Sequence, residues 1–240
     1  MWSYYNQTSN DIIELIFLKH KNIIPTLRKI YNIDFFLRVG NEIIPFDLKI
    51  THVSDEYFEL ASKGITASVS GHDNFTVNKE NASELETIKA YYKAYKKDHK
   101  SLKLPNISEF KTDTKATLSD YIIQLDSASE QFILKLQQAH AAYVPTTLDT
   151  LKMLEWWNYK YQGVRLFCNN NRLFVFLAYK TKFIDGRDLK RNTVEIERKI
   201  NALLDNVSSA SIHTIQYHYE EDPKLEGDYT VYSLSTIYSE

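Results

Sequence analysis

The sharpest pattern of apolar and polar positions runs from Ile33 to Thr51. Apolar residues alternate through Ile33, Phe35, Leu37 and Val39, and again through Ile44, Phe46, Leu48 and Ile50. A period of two marks strands with one buried face. Gly40-Asn41 separates the runs, and glycine at the first place of a two-residue loop suits a type II′ hairpin turn. Val39 then pairs with Glu42, and further from the turn Asp34 faces Asp47, with Lys49 on the same side. A slip of one residue would turn these charges into the apolar layer, so the pattern resists it. Pro45 has no N–H for a ladder and must occupy an edge, a bulge or a non-bonded place. A bulge would shift Asp34 by one place against Asp47.

The rest of the chain alternates between helical and strand periods. Ser9 or Asn10 can cap a helix starting near Asp11, whose residues Ile12, Ile13, Leu15, Ile16, Phe17 and Leu18 are apolar nearly all round and predict burial. A short helical stretch is expected over Pro25–Tyr31. Residues 54–78 are dense in Ser, Gly, Thr, Asp and Asn and read as a long loop, alone or with a short strand. Ala82–Lys100 predicts a helix, Leu118–Tyr143 one longer amphipathic helix, and Thr147–Tyr161 a third. Trp156, Trp157, Tyr159 and Tyr161 on that last helix are expected in the core, although such rings also stack on nucleobases. Val164–Cys168 and Leu173–Tyr179 flank Asn169-Asn170-Asn171 as a second hairpin, its second strand apolar enough to be central. A helix from Asn192 or Thr193 to Leu204, a strand over Ile212–Tyr219 and strand-like alternation over Tyr229–Tyr238 complete the order. It predicts one α/β domain over 1–240, a mixed β-sheet core flanked by helices, with a helical insertion at about 80–160.

Composition narrows the chemistry. The net charge of −2 argues against an indiscriminate nucleic-acid coat but leaves room for local basic surfaces. Lys93, Lys96 and Lys97 lie among tyrosines on the Ala82–Lys100 helix, and Lys182 and Arg187 lie in a second basic segment. Either could neutralise phosphates, or form a solvated helix face and a charged loop. Lys63 and His72 are weaker candidates from the loop over 54–78. The single cysteine, Cys168, cannot form an internal disulfide and fits a reducing compartment. With no leader pattern and no apolar run of the roughly 18 residues a membrane span needs, the expected setting is cytoplasmic, without a membrane. No His-Glu-x-x-His, phosphate-loop or nucleophile-elbow motif occurs, and 6 glycines leave little for phosphate-cradling loops.

Two carboxylates opposed across a hairpin repel each other, so Asp34 and Asp47 beside Lys49 call for a reason. A divalent cation held between them is one. Simple ion pairs, Asp34 with Arg38 or Lys49 and an exposed Asp47–Lys49 edge pair, are the bland alternative. Glu14, set in an apolar run, either joins a metal site, pairs with Lys19 or Lys21, or sits on a narrow polar face.

This constellation resembles the PD-(D/E)XK nuclease superfamily, the restriction-endonuclease-like fold. Asp34 matches the acidic residue of one strand, Asp47-Leu48-Lys49 the D-x-K of the next, and Glu14 the glutamate many members place on the preceding helix. Ile33 stands where the family name would put proline. The resemblance covers about residues 8–55 by motif and the remainder by element type. It implies a Mg²⁺-dependent endodeoxyribonuclease, Mn²⁺ substituting, with Asp34, Asp47, Glu14 and the Leu48 carbonyl as metal ligands and Lys49 beside the attacking water. The implied partner is double-stranded DNA, cut in restriction or defence, and two cuts suit a homodimer. A nuclease-fold subunit that binds nucleic acid or acts as a scaffold without cutting is the rival expectation.

Overall fold

The computed structural model describes residues 2–26, 33–67, 75–77, 80–110, 113–161 and 169–240. Six strands form one mixed sheet in the order β1-β2-β3-β6-β8-β7. They are β1 (Ile23–Pro25), β2 (Phe35–Val39), β3 (Glu42–His52), β6 (Arg172–Ala178), β7 (His213–Tyr219) and β8 (Gly227–Ser239). A separate two-stranded ribbon pairs β4 (Ile65–Ala67) with β5 (Phe75–Val77). The first three strands of the large sheet are antiparallel, β3, β6 and β8 are parallel, and β7 runs antiparallel to β8.

The β2–β3 hairpin has the expected register, from Val39↔Glu42 to Phe35↔Phe46. Gly40 takes φ +60, and Asn41 is not among the positive-φ residues, as a type II′ turn requires. Val39↔Glu42 closes a two-residue loop and is therefore hydrogen-bonded. Alternation then makes Phe36↔Pro45 a non-bonded pair, so Pro45 is tolerated inside β3. The ladder ends at Phe35: Asp34 lies outside β2 and its N–H donates to Phe46 O at 3.0 Å, so it is offset by one place from the direct pairing with Asp47, as a bulge would give.

Among the described residues, seven α-helices accompany the strands: α1 (Trp2–Leu18), α2 (Asp55–Ser62), α3 (Glu84–Asp98), α4 (Thr114–Ile123), α5 (Ser127–Tyr143), α6 (Leu148–Lys160) and α7 (Thr193–Asp205). On one face of the sheet, α1 and α7 bury Ile13, Phe17, Ile196 and Ile200 against Phe35, Leu37, Phe46 and Val175. On the other, α2 and α6 bury Tyr57, Phe58, Leu154 and Tyr159 against Phe174, Phe176 and Ile215. Covered on both faces and flanked by strands, β6 is buried along its whole length, which is why its apolar run does not alternate. A third cluster, around Ile88, Tyr92, Leu118, Ile122 and Ile133, joins α3, α4 and α5. The helical segment expected at about 80–160 is thus α3–α6, and its last helix packs on the sheet.

Several boundaries depart from the sequence expectation. The first helix begins at Trp2, ahead of Asp11, since no glycine or proline stops it there. It is amphipathic and half exposed: Ile12 and Leu15 stay 43% and 56% exposed. Over Pro25–Tyr31, Pro25 belongs to β1, and residues 27–31 lie outside the described ones. The loop expected over 54–78 contains α2, capped by Ser54, whose hydroxyl accepts from Tyr57 N at 3.3 Å. Leu118–Tyr143 is two helices, because Asp126 accepts from Ser129 N at 2.7 Å and starts α5 afresh. Both feed the same apolar cluster, so the hydrophobic period crosses the break. The first strand of the second expected hairpin, Val164–Cys168, lies outside the described residues, as does His72. Among the described residues no helix is long and apolar enough to cross a membrane.

Candidate active site

Alternation along β3 decides what each face receives. Phe46, Leu48 and Ile50 point to the α1–α7 layer, so Asp47, Lys49 and Thr51 point to the side of α2 and α6. The parallel register sets Asp47 beside Arg172, the first residue of β6. Arg172 is fully buried, its Nε donates to Asp47 Oδ2 at 3.2 Å, and its guanidinium lies 5.4 Å from the centre of the Tyr159 ring. Sequence reasoning missed this arginine. The signal available was a lone cation opening an otherwise apolar strand directly after three asparagines.

Asn171 builds the junction that holds the pair. Its carbonyl accepts from Asp47 N at 2.9 Å, its side-chain amide donates to Pro45 O at 3.1 Å, and its Oδ1 accepts from Tyr232 N at 2.8 Å. One residue thus ties β3 and β8 to the start of β6, where strand pairing alone has not begun. Asp34 is held in a similar way: its Oδ2 accepts from Leu48 N at 2.8 Å.

The electrostatics are strained in both directions. Burial pushes the Asp47 carboxyl up to about 6; Arg172 opposes this and the neighbouring Asp34 adds to it. Burial, Arg172 and Lys190 lower Lys49, against a raising influence from Asp47. A carboxylate and a lysine, Asp47 and Lys49, are therefore gathered where each charge is costly, a signature of functional sites. Asp47 is no exposed edge pair, since β3 lies inside the sheet and Asp47 holds a buried arginine.

Glu14 does not join this group. Its helix packs on the opposite face of the sheet through Ile13, Ile16 and Phe17, and Glu14 itself lies on the exposed side. Among the described residues, no three His, Cys, Asp or Glu side chains are placed to hold a metal ion together. Asp34 and Asp47 still offer a donor set of the kind Mg²⁺ uses, one or two carboxylates completed by water and substrate oxygens. The raised Asp47 carboxyl is what such a cation would relieve.

A cleft of about 270 Å³ opens beside Lys49 and Arg172, with Glu56 of α2 at its margin and Trp157 and Tyr161 along α6. The four aromatics of that segment therefore divide: Trp156 and Tyr159 are core, whereas Trp157 and Tyr161 line the cleft. The basic residues singled out from sequence lie elsewhere. Lys63 pairs with Glu86 at 3.4 Å, Lys96 donates to Asn106 Oδ1 at 2.8 Å, and Lys93 and Lys97 are exposed on α3. Lys182 sits 4.9 Å from the Tyr179 ring centre, and Arg187 pairs with Asp185 at 2.6 Å. Lys182 lines an adjoining hollow with His52 and Asp185.

A second buried charge cluster belongs to the helices. Lys115 contacts Glu84 at 3.0 Å, Asp55 at 3.1 Å and Glu59 at 3.1 Å, and His140 Nδ1 lies 2.9 Å from Glu84 Oε1. Burial lowers Lys115, but the three carboxylates outweigh it and the ammonium ends above its usual range. This cluster links α2 to α3, α4 and α5.

Comparison of the chain with protein-family models, with curated proteins and with solved structures finds no match in any of the three.

Proposed function

We propose that the protein is a metal-dependent endonuclease that hydrolyses phosphodiester bonds of DNA, in restriction or another defence role. The reading rests on one observation: Asp34, Asp47 and Lys49 stand together at the β2–β3 hairpin, with Asp47 tied to a buried arginine. The helix, acidic strand and D-x-K strand follow in the order the resemblance to the PD-(D/E)XK superfamily requires, within a mixed sheet flanked by helices.

Asp34 and Asp47 would hold Mg²⁺ or Mn²⁺, with the Leu48 carbonyl a further ligand by the same resemblance. Such an ion polarises a phosphodiester and makes bound water acidic. Leu48 N–H orients the Asp34 carboxylate, and Arg172 orients that of Asp47. Lys49 would hold the attacking water and, in the neutral form that burial favours, accept its proton more readily than a surface lysine. Lys49 would also stabilise charge gathering on the phosphorane.

One observation favours a second reading. Arg172 already places a positive charge on Asp47, as a metal would, which suits a nucleic-acid-binding or scaffold subunit that does not cut. Plasmid and a labelled single-stranded DNA, each incubated with the protein and Mg²⁺ or Mn²⁺, against EDTA and against Asp47→Asn, separate the two. Metal-dependent cutting of either substrate, lost in the variant, upholds the nuclease. Both substrates intact in every lane, with no heat of Mg²⁺ or Mn²⁺ binding, leaves the scaffold.

A further inference from the structure

We infer that the cleft beside Lys49 stacks an unpaired nucleobase, so that the DNA strand presented to the site is single-stranded. This rests on the phosphodiesterase reading above and names its substrate class. The cleft joins two kinds of surface. Its sheet side carries Lys49, a cation that suits a phosphate, above the buried Arg172, and its helix side carries Trp157 and Tyr161. Tyr161, just past the end of α6, follows Trp157 by four residues, and the ring centres are 4.0 Å apart at an interplanar angle of 39°. Trp156 and Tyr159, on the inward side of the same helix, are 4% and 0% exposed, whereas Tyr161 is 47% exposed. An exposed aromatic next to a half-buried one, beside a lysine, is how proteins receive single strands. The rings take the π-face that every base possesses, and the lysine takes the backbone.

A continuous duplex does not offer that face. Its bases are covered above and below by their neighbours, and only their edges reach the grooves. A phosphate held at Lys49 would leave the rings of a duplex-bound protein with nothing to stack on. The volume of about 270 Å³ also lies at the small end for ligand pockets, enough for one base at a time.

The test measures binding without cutting. Fluorescence anisotropy in EDTA compares a labelled single strand, the same strand with abasic sites, and a blunt duplex. The base-bearing single strand should bind about tenfold or more tighter than the abasic strand, the usual effect of stacking one base. It should also bind tighter than the duplex. Tyr161→Ala should abolish the preference, Tyr161→Phe should keep it, and Trp157→Phe should keep most of it. Equal binding of base-bearing and abasic strands overturns the inference, as does tighter binding of the duplex or a preference that survives Tyr161→Ala. The cutting assay is separate. A protein that cuts plasmid but ignores bases loses the stacking site and keeps the nuclease, whereas one that prefers bases but never cuts loses the nuclease and keeps the site.

Discussion

Lys115 and Lys49 are both drawn into the protein, and their ammonium groups are pushed in opposite directions. Burial disfavours the charge in each case. Around Lys115, Glu84, Asp55 and Glu59 close within hydrogen-bonding range and more than restore it. Around Lys49, Arg172 and Lys190 add repulsion that Asp47 does not cancel, and Asp47 is itself shifted toward its neutral form. The first cluster completes its own charges and serves the fold. The second leaves a carboxylate and an amine short of compensation, which is where a cation and a phosphate would bind. Burial alone does not mark a site; incomplete compensation does.

The largest effect that would sharpen this contrast is chemical. Asp47→Asn keeps an acceptor for Arg172 Nε but removes the charge, and cleavage should fall on the order of 10²-fold or more while the fold persists. Circular dichroism beside the plasmid assay checks both halves. Next comes Lys115→Met, which strands the buried Glu84 carboxylate without its cation. Removing one partner of a buried pair costs about 3–5 kcal/mol, readable in a urea titration. If Lys115→Met proved as mild as Asp47→Asn, the distinction between the clusters would collapse.

A smaller effect concerns pH. Folding raises the Asp47 carboxyl from 3.8 to about 6, so its protonated form stabilises the native state. That contribution is complete below the unfolded value and is lost as pH climbs through about 6. In EDTA the wild type should lose on the order of 1–3 kcal/mol relative to Asp47→Asn between those limits. Parallel stability curves for the two proteins would contradict it. Asp47→Ala should instead be destabilised at every pH, because Arg172 then loses its acceptor inside the sheet.

The smallest effect expected is none. Lys93→Ala with Lys97→Ala changes an exposed face of α3 that does not line the cleft, so cleavage and thermal midpoint should stay as they are. A clear loss of DNA affinity in that double variant would move the nucleic-acid surface onto the helical segment.

Much of the sheet was legible because strand patterns are local. The β2–β3 register followed from Gly40-Asn41 and the alternation around it, and β6 announced its central place by an unbroken apolar run. Helices were read where period and cap agreed, as at Asn192, and misread where they conflicted. Short α2 was hidden in turn-forming residues, and Asp126 broke a period that hydrophobicity carried straight through. Glu14 shows a deeper limit. Its residue type and distance from the hairpin fitted the site, but which face of the sheet its helix covers is not encoded in spacing.

The sequence by itself put Asp47 and Lys49 on one side of their strand and Asp34 near them across the hairpin, because a side-chain period of two and a two-residue turn set the register from Val39↔Glu42 to Phe35↔Phe46. Only the tertiary structure decided what they meet there. Arg172 reaches Asp47 through a parallel crossover that spans more than a hundred residues, |i−j|=125, and Trp157 and Tyr161 reach the same cleft because the inner side of α6 is consumed by the core. Local periodicity sets the direction of a side chain within its element. Its partners depend on how whole elements pack, and that is settled by the burial of surfaces far apart in the chain.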